Sequence, residues 1–341
     1  TWHRNMVVVR GIFSYMVHTG LRESKQWIQA GLRAVLDAPR YQEMDVRALT
    51  QEQWFIFRDV GLGGETPAGA VDAGWRGTHP VRNTTAAGIA LATGLRLAEW
   101  RTLLDCELPS VDTAPEGAPL VLRACAKGGK LRRVFVPGEA LQAVELYRRT
   151  ERRRLVRATT SALAQRKDKL AIIHSVDQAK GKITFEFAGQ QKVLQIAEIP
   201  PDVRRVLVVE TDDGLESASL FIGNTGLPPK QRSWLAAFEL ANTRIASFGS
   251  AVPAMPKAIT PHDLRHTFAV VLLRQLMDLA SHRERDRRSA IGTGTLSEHM
   301  AVNPLLTVQR LLGHSSPATT MVYLRHVEDT DALVQQLFDC R

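Results

Sequence analysis

The sequence predicts a mainly α fold with a small antiparallel β-sheet, an α+β chain, on three observations. Apolar residues recur at helical spacing near both ends, two strand-like runs flank Gly128-Gly129, and a β-rich block from about residue 158 to 218 interrupts the helical pattern. With 341 residues, 44% of them hydrophobic, the chain has the material for roughly two cored domains, which excludes a largely disordered protein. Lys and Arg number 44 against 35 Asp and Glu, a net charge of +9. That excess is compatible with a nucleic-acid partner, but charge alone does not decide it.

Cys106, Cys125 and Cys340 are widely spaced with no C-x-x-C, so neither a disulfide framework nor a zinc site is indicated and a reducing cytoplasm fits. No run of about 18 apolar residues predicts a membrane span, and the N-terminus lacks a signal-peptide pattern. The chain begins at Thr1 rather than Met, which leaves residues upstream of Thr1 an open matter.

Taken in order, Met6 to Val17 and Lys25 to Leu36 read as two helices, too few for an independent core, and a domain boundary near residue 45 separates 1–44 from 45–341. Thr50 with Gln53 three residues on has the pattern of a capped helix start. Gly61 to Gly74 reads as a surface loop, since a phosphate loop's G-x-x-x-x-G-K-[ST] is absent. A small-residue helix from Asn83 to Ala92 leads into Thr93-Gly94, and Leu95 to Leu104 starts another. Pro119 to Ala126 and Leu131 to Pro137 read as strands, with Gly128-Gly129 suited to a tight hairpin. The basic run Arg148 to Arg157 fits either a solvated helix face or a phosphate track. Ile183 to Phe187 and Lys192 to Ile196 flank Gly189-Gln190, and with Arg205 to Glu210 they look like an inserted β subdomain. Helical patterns resume near Gln231 and are broken by Gly292-Thr293-Gly294. In the last helix Leu333, Val334, Leu337 and Phe338 form a stripe suited to packing in cis or onto a neighbouring subunit.

Three segments carry chemistry. In Thr260-Pro261-His262-Asp263-Leu264-Arg265-His266-Thr267-Phe268 the Thr-Pro pair suits a helix start, and His262 and Arg265, three apart, share a face. An imidazole beside a planar guanidinium can clamp phosphate oxygens. Thr93-Gly94-Leu95-Arg96-Leu97-Ala98-Glu99 sets an arginine after a glycine turn, with Glu99 on the same face. Leu311-Leu312-Gly313-His314 precedes Thr319-Thr320 and Tyr323, in a chain with four tyrosines.

In this order these segments resemble the tyrosine recombinase (phage integrase) family, whose hallmarks are T-G-L-R-x-x-E, H-x-L-R-H-[ST]-[FA] and L-G-H-x-x-x-x-T-x-x-x-Y. The run from Ala126 to Pro137 resembles that family's lysine-bearing β-hairpin. The resemblance covers roughly residues 48–330 apart from insertions, and residues 1–37 are similar to the end of the family's helical core-binding domain. It implies the family's catalytic fold with a partial N-terminal DNA clamp at 1–44, a β-rich insertion at about 158–218 and a second at about 281–303.

Carried over position by position, the resemblance implies that Tyr323 attacks a DNA phosphate and forms a 3′-phosphotyrosyl link. Arg96 and Arg265 would balance the phosphorane charge, Lys127 would protonate the leaving 5′-oxygen, His262 would act as acid and base, and His314 would hold a phosphate oxygen. Glu99 would support the arginine helix, and Lys130, across the same turn, is the alternative lysine. His266 reads as a packing residue and Trp100 as core. Arg283, Arg285, Arg287 and Arg288 are candidate DNA or subunit contacts. The resemblance further implies no metal and no ATP, double-stranded DNA recombination sites as partners, and a homotetramer on synapsed DNA with directionality or architectural factors. A cytoplasmic, nucleoid-associated protein is expected. The leading activity is site-specific recombination serving a mobile element, beside chromosome-dimer resolution, type IB topoisomerase chemistry and DNA binding without catalysis.

Overall fold

The computed structural model describes residues 2–23, 46–289, 303–314 and 316–324. The chain divides into a unit of Thr1–Asp45 and a unit of Val46–Arg341. The described part of the first is α1 (Trp2–His18) and the turn that follows it. The helix expected at Lys25 to Leu36, the glycine break at 292–294 and the apolar stripe at 333–338 lie outside the described residues.

The second unit opens at α2 (Gln51–Phe55), whose start is closed reciprocally: Thr50 Oγ1 accepts from the Gln53 N–H and Gln53 Oε1 from the Thr50 N–H. α2 widens into a π-helical turn at Ile56–Leu62. After a loop, α3 (Pro80–Thr93) begins with proline in its first turn and ends at Gly94, followed by the short α4 (Leu97–Trp100). α3 packs against the later helices α5 (Gly138–Tyr147) and α9 (Pro261–Ser289), while α8 (Gln231–Ser247) lies along the π turn. Trp100, Phe221 and Trp234 fill the middle of the core, with Trp100 meeting Trp234 edge-on at 4.6 Å. The last described helices are α10 (Pro304–Leu312), capped by the Asn303 side chain, and α11 (Pro317–Met321).

Two small sheets complete a mainly helical fold, as the sequence predicts. β1 (Gly117–Leu122) and β2 (Arg132–Pro137) pair antiparallel from Gly117↔Pro137 to Leu122↔Arg132. The expected tight turn at Gly128-Gly129 is a wider connection over 123–131, because Ala124 leaves its strand neighbour and donates instead to the Ala197 carbonyl at 2.9 Å. Both glycines still adopt the left-handed conformation, in a short 3-10 turn at Lys127–Gly129.

The second sheet holds β3 (Ala171–Asp177), β4 (Lys182–Phe187), β5 (Gln190–Gln195), β6 (Leu207–Thr211) and β7 (Gly214–Ser217), in the order β5-β4-β3-β6-β7. It is mixed, since β3 and β6 run parallel. The crossover this demands carries a 3-10 turn at Ile196–Glu198 and the helical turn α7 (Pro201–Arg204). Ala188 and Gly189, both at positive φ, turn β4 into β5. Ala171, Ile173, Ile183, Phe185 and Leu207 give this sheet its own core.

The basic run is neither a wholly solvated face nor an open phosphate track. It crosses a π-helical turn at Arg148–Arg152 between α5 and α6 (Arg153–Ala164). Arg148 binds Asp105 and the Leu108 carbonyl, and Arg152 binds Glu216 and the carbonyls of Ser217, Ser219 and Leu220. Arg152 ties the inserted sheet to the helical core, and Arg148 ties the end of α5 to the turn at 105–109.

Candidate active site

The site is built where α3, α9 and α10 end or begin. Gly94 stops α3 in the left-handed conformation (φ 63°), and a Cβ there would stand 2.4 Å from Phe268 and 3.0 Å from Leu312. Glycine at this position therefore permits both the turn and the close approach of α9 and α10. Arg96 follows in extended conformation at the head of α4. The Glu99 carboxylate accepts its backbone N–H at 2.7 Å and faces its guanidinium at 3.3 Å.

Glu99, fully buried, also receives Arg132 from β2 at 2.5 Å. Arg132 donates further to the Leu312 carbonyl at 2.7 Å. Arg265, on the first turns of α9 and 1% exposed, donates to the carbonyls of Gly94 and Leu312, each at 2.5 Å. The carbonyl at the C-terminal end of α10 thus accepts from two guanidinium groups, where the helix dipole favours cations. Three guanidinium groups face one carboxylate here, which leaves the cluster positive. Burial, then the charges of Arg96 and Arg132, lower Arg265 to about 9, so it stays protonated at neutral pH.

Gly313, also left-handed, turns the chain out of α10 and delivers His314. Its Nδ1 lies 2.9 Å from Thr320 Oγ1, and its ring lies nearly parallel to that of Tyr323 at 6.1 Å. Tyr323 follows α11 and is 1% exposed, its hydroxyl 2.9 Å from His266 Nδ1. Burial first, and then neighbouring cations including His262 and Arg265, hold His266 down at about 3. The ring is neutral, and in the tautomer protonated at Nε2 its Nδ1 accepts the phenol's hydrogen bond. Burial likewise lowers His314 to about 4, with Arg265 and Arg96 adding to it, and raises Tyr323 against the opposing pull of Arg265 and Arg96. The phenol is therefore protonated in the unliganded protein. His262 is exposed, its ring edge-on to His266 at 4.2 Å, and desolvation and Arg265 lower its pKa.

A cavity of about 260 Å³ opens beside these groups, lined among others by Arg96, Lys127, Lys130, Arg132 and His314. Both lysines reach it, so geometry does not choose between them. A larger cavity of about 750 Å³ lies elsewhere, beside Trp75, Arg82, Arg166 and Arg205. It contains none of the groups that converge around Leu312, and convergence of chemistry rather than volume places the site.

Arg96, Glu99, Arg265 and His314 thus surround one helix end, and His262 and Tyr323 meet through His266. Two members escaped the sequence reading. Arg132 sits in the strand pattern, and His266 was expected only to pack. Its spacing of four from His262 was the available signal, since i and i+4 share a helix face. Arg283, Arg285, Arg287 and Arg288 fall on the final turns of α9, and their side chains lie outside the described structure. Among the described residues, none of the helices is long and apolar enough to cross a membrane.

No protein-family model and no curated protein matches the chain. Among solved structures it is similar to XerH site-specific recombinase bound to palindromic difH substrate in a post-cleavage complex, at 16% identity over 86% of this chain and 53% of that one, with a TM-score of 0.44. It is similar to XerA recombinase at 18% identity, over 86% of this chain and 65% of that one, TM-score 0.40. It is also similar to the Tn1549 transposon integrase in complex with circular intermediate DNA, at 18% identity over 96% and 75% of the two chains, TM-score 0.45. The chain spans about half the length of the first of these.

Proposed function

We propose that the protein is a tyrosine recombinase, a site-specific DNA recombinase that breaks and rejoins duplex DNA through Tyr323. The observation that carries this reading is the meeting of a buried phenol with two imidazoles beside a net-positive guanidinium cluster around Leu312. A phenol is a weak nucleophile near neutral pH, so the cations must favour its ionised form once a phosphate is bound. The Tyr323 oxygen forms a bond to phosphorus at the 3′ side as the bond to the 5′-oxygen breaks. The phenol proton passes to an imidazole, His262 being the exposed acid and base, and the 5′-oxygen leaves as a hydroxyl after taking a proton from Lys127 or Lys130.

Arg96 and Arg265 balance the charge on the five-coordinate phosphorus, and His314 holds one of its oxygens. Glu99 keeps Arg96 and Arg132 in place. The phosphotyrosyl link conserves the energy of the broken diester, so the reverse attack by a 5′-hydroxyl reseals the strand without ATP or a metal. The biological setting we favour is integration and excision of a mobile element, with the protein acting as a homotetramer on paired sites.

The test is a covalent-adduct assay on nicked DNA carrying the element's ends, with EDTA present throughout. An adduct that survives denaturation and is lost in Tyr323→Phe supports the reading. DNA binding with no adduct on several verified sites overturns it in favour of DNA binding without catalysis.

A further inference from the structure

We infer that the inserted sheet is a brace for the lysine-bearing loop, and that Ala197, Glu198 and Arg204 are positioning residues that set where Lys127 and Lys130 stand against the Arg96 and His314 cavity. The inference rests on the proposed reading of the site. Pairing of β1 with β2 ends at Leu122↔Arg132, and the loop beyond carries exposed lysines and two left-handed glycines, features that by themselves leave a loop loose. One stem of that loop is fixed by the site, because Arg132 is bonded to Glu99 and Leu312.

The other stem is fixed by the insertion. Ala124 donates its N–H to the Ala197 carbonyl at 2.9 Å, and Arg123 pairs with Glu198 at 2.5 Å, both within the 3-10 turn that follows β5. Three residues after Ala124 comes Lys127.

That turn is itself held from within. Arg204, 1% exposed, donates to the carbonyls of Ile196 at 2.5 Å and Ile199 at 3.0 Å, and to Glu107 at 2.6 and 2.9 Å. It also reaches the Thr102 carbonyl at 3.2 Å. The Thr102 hydroxyl donates back to the Ala98 carbonyl on α4 and lies 3.4 Å from Cys125 Sγ on the loop stem. One buried arginine therefore joins the insertion, the helix headed by Arg96 and the stem leading to Lys127. Main-chain bonds from Asp105 to Ala218 and from Leu220 to Leu103 complete the attachment.

A lysine that protonates the 5′-oxygen works only within hydrogen-bond reach of it, and general acid catalysis contributes on the order of 10²–10⁴-fold. Replacing the bridging 5′-oxygen by sulfur removes the need, because a thiolate leaves without a proton. The comparison is single-turnover cleavage at saturating protein of ordinary and 5′-thio nicked substrates by the full chain, by Arg123→Glu, and by Arg123→Glu with Glu198→Arg. The brace predicts cleavage of the ordinary substrate slowed on the order of tenfold in the single variant, cleavage of the thio substrate unchanged, and the oxygen rate restored by the charge exchange. Equal loss on both substrates, or loss on neither, overturns it.

Hydrogen exchange gives an answer independent of the chemistry. Faster exchange across 124–131 in Arg123→Glu, reversed by the exchange variant, supports the brace even should no Tyr323 adduct form on any DNA, a result that would sink the recombinase reading alone. Unchanged exchange there overturns the brace.

Discussion

Replacing Glu99 with Ala should unfold the unit from Val46 onward well before its parent. The carboxylate is fully buried, and Arg132, its 2.5 Å partner, has a side chain only 4% exposed. Removing one member of a buried pair leaves the other charge uncompensated, a cost of about 3–5 kcal/mol. The pair with Arg96 is a quarter exposed and adds little more than about 0–1 kcal/mol, while loss of the acceptor for the Arg96 N–H costs about 1 kcal/mol. At roughly 2–4 °C per kcal/mol for a unit of this size, the fall in Tm is on the order of 10 °C or more. Glu99→Gln keeps one oxygen, which can stand where Oε2 accepts both the Arg96 N–H and Arg132, so it should fall between parent and Ala. Thermal unfolding followed by circular dichroism reads all three. A Glu99→Ala midpoint within about 3 °C of the parent would refute the argument that this one carboxylate holds the cluster together.

Two further outcomes follow from the same geometry. Gly94→Ala should destabilise by about 1–3 kcal/mol in urea unfolding, since its Cβ would stand 2.4 Å from Phe268 and its φ is 63°; an unchanged midpoint would contradict the close approach of α9 to this turn. His266, held at about 3, and His314, at about 4, take up protons in the unfolded chain near pH 6.5 but not in the folded one. Stability should therefore fall as pH drops from 6.5 toward those values, with up to about 1.4 kcal/mol per pH unit from buried His266 and less from half-buried His314. Urea midpoints for parent and His266→Gln between pH 7 and pH 4 should diverge, the variant showing the shallower slope, and parallel curves would contradict the buried neutral imidazole.

The parts of the site legible in the sequence are those fixed by the chain itself. Gly94 marks a glycine turn and Pro261 a helix start, and each places a candidate site residue one to four positions on. The helical start at Gln231 and the β4–β5 hairpin were legible for the same reason, since caps, turns and periodicity act over a few residues. What the sequence did not disclose depends on partners distant along the chain. His266 meets a tyrosine 57 residues later, and Arg132 meets Leu312 180 residues later. The wide lysine loop exists because Ala124 finds Ala197, and within the basic run Arg152 is buried where it meets Glu216. The β-rich run from Arg205 to Glu210 marks β6 as a strand without saying that it pairs in parallel with β3, a strand the sequence reading does not single out.

The central claim is that Tyr323 makes the covalent bond to DNA, and mapping the adduct tests it most directly. Protein trapped on nicked DNA is digested with trypsin and nuclease, and the modified peptide is sequenced by mass spectrometry. The account predicts nucleotide on the tryptic peptide from Leu311 to Arg325, attached at Tyr323 through its 3′-phosphate, with a free 5′-hydroxyl on the released strand. Attachment at any other residue, or through a 5′-phosphate, would contradict it.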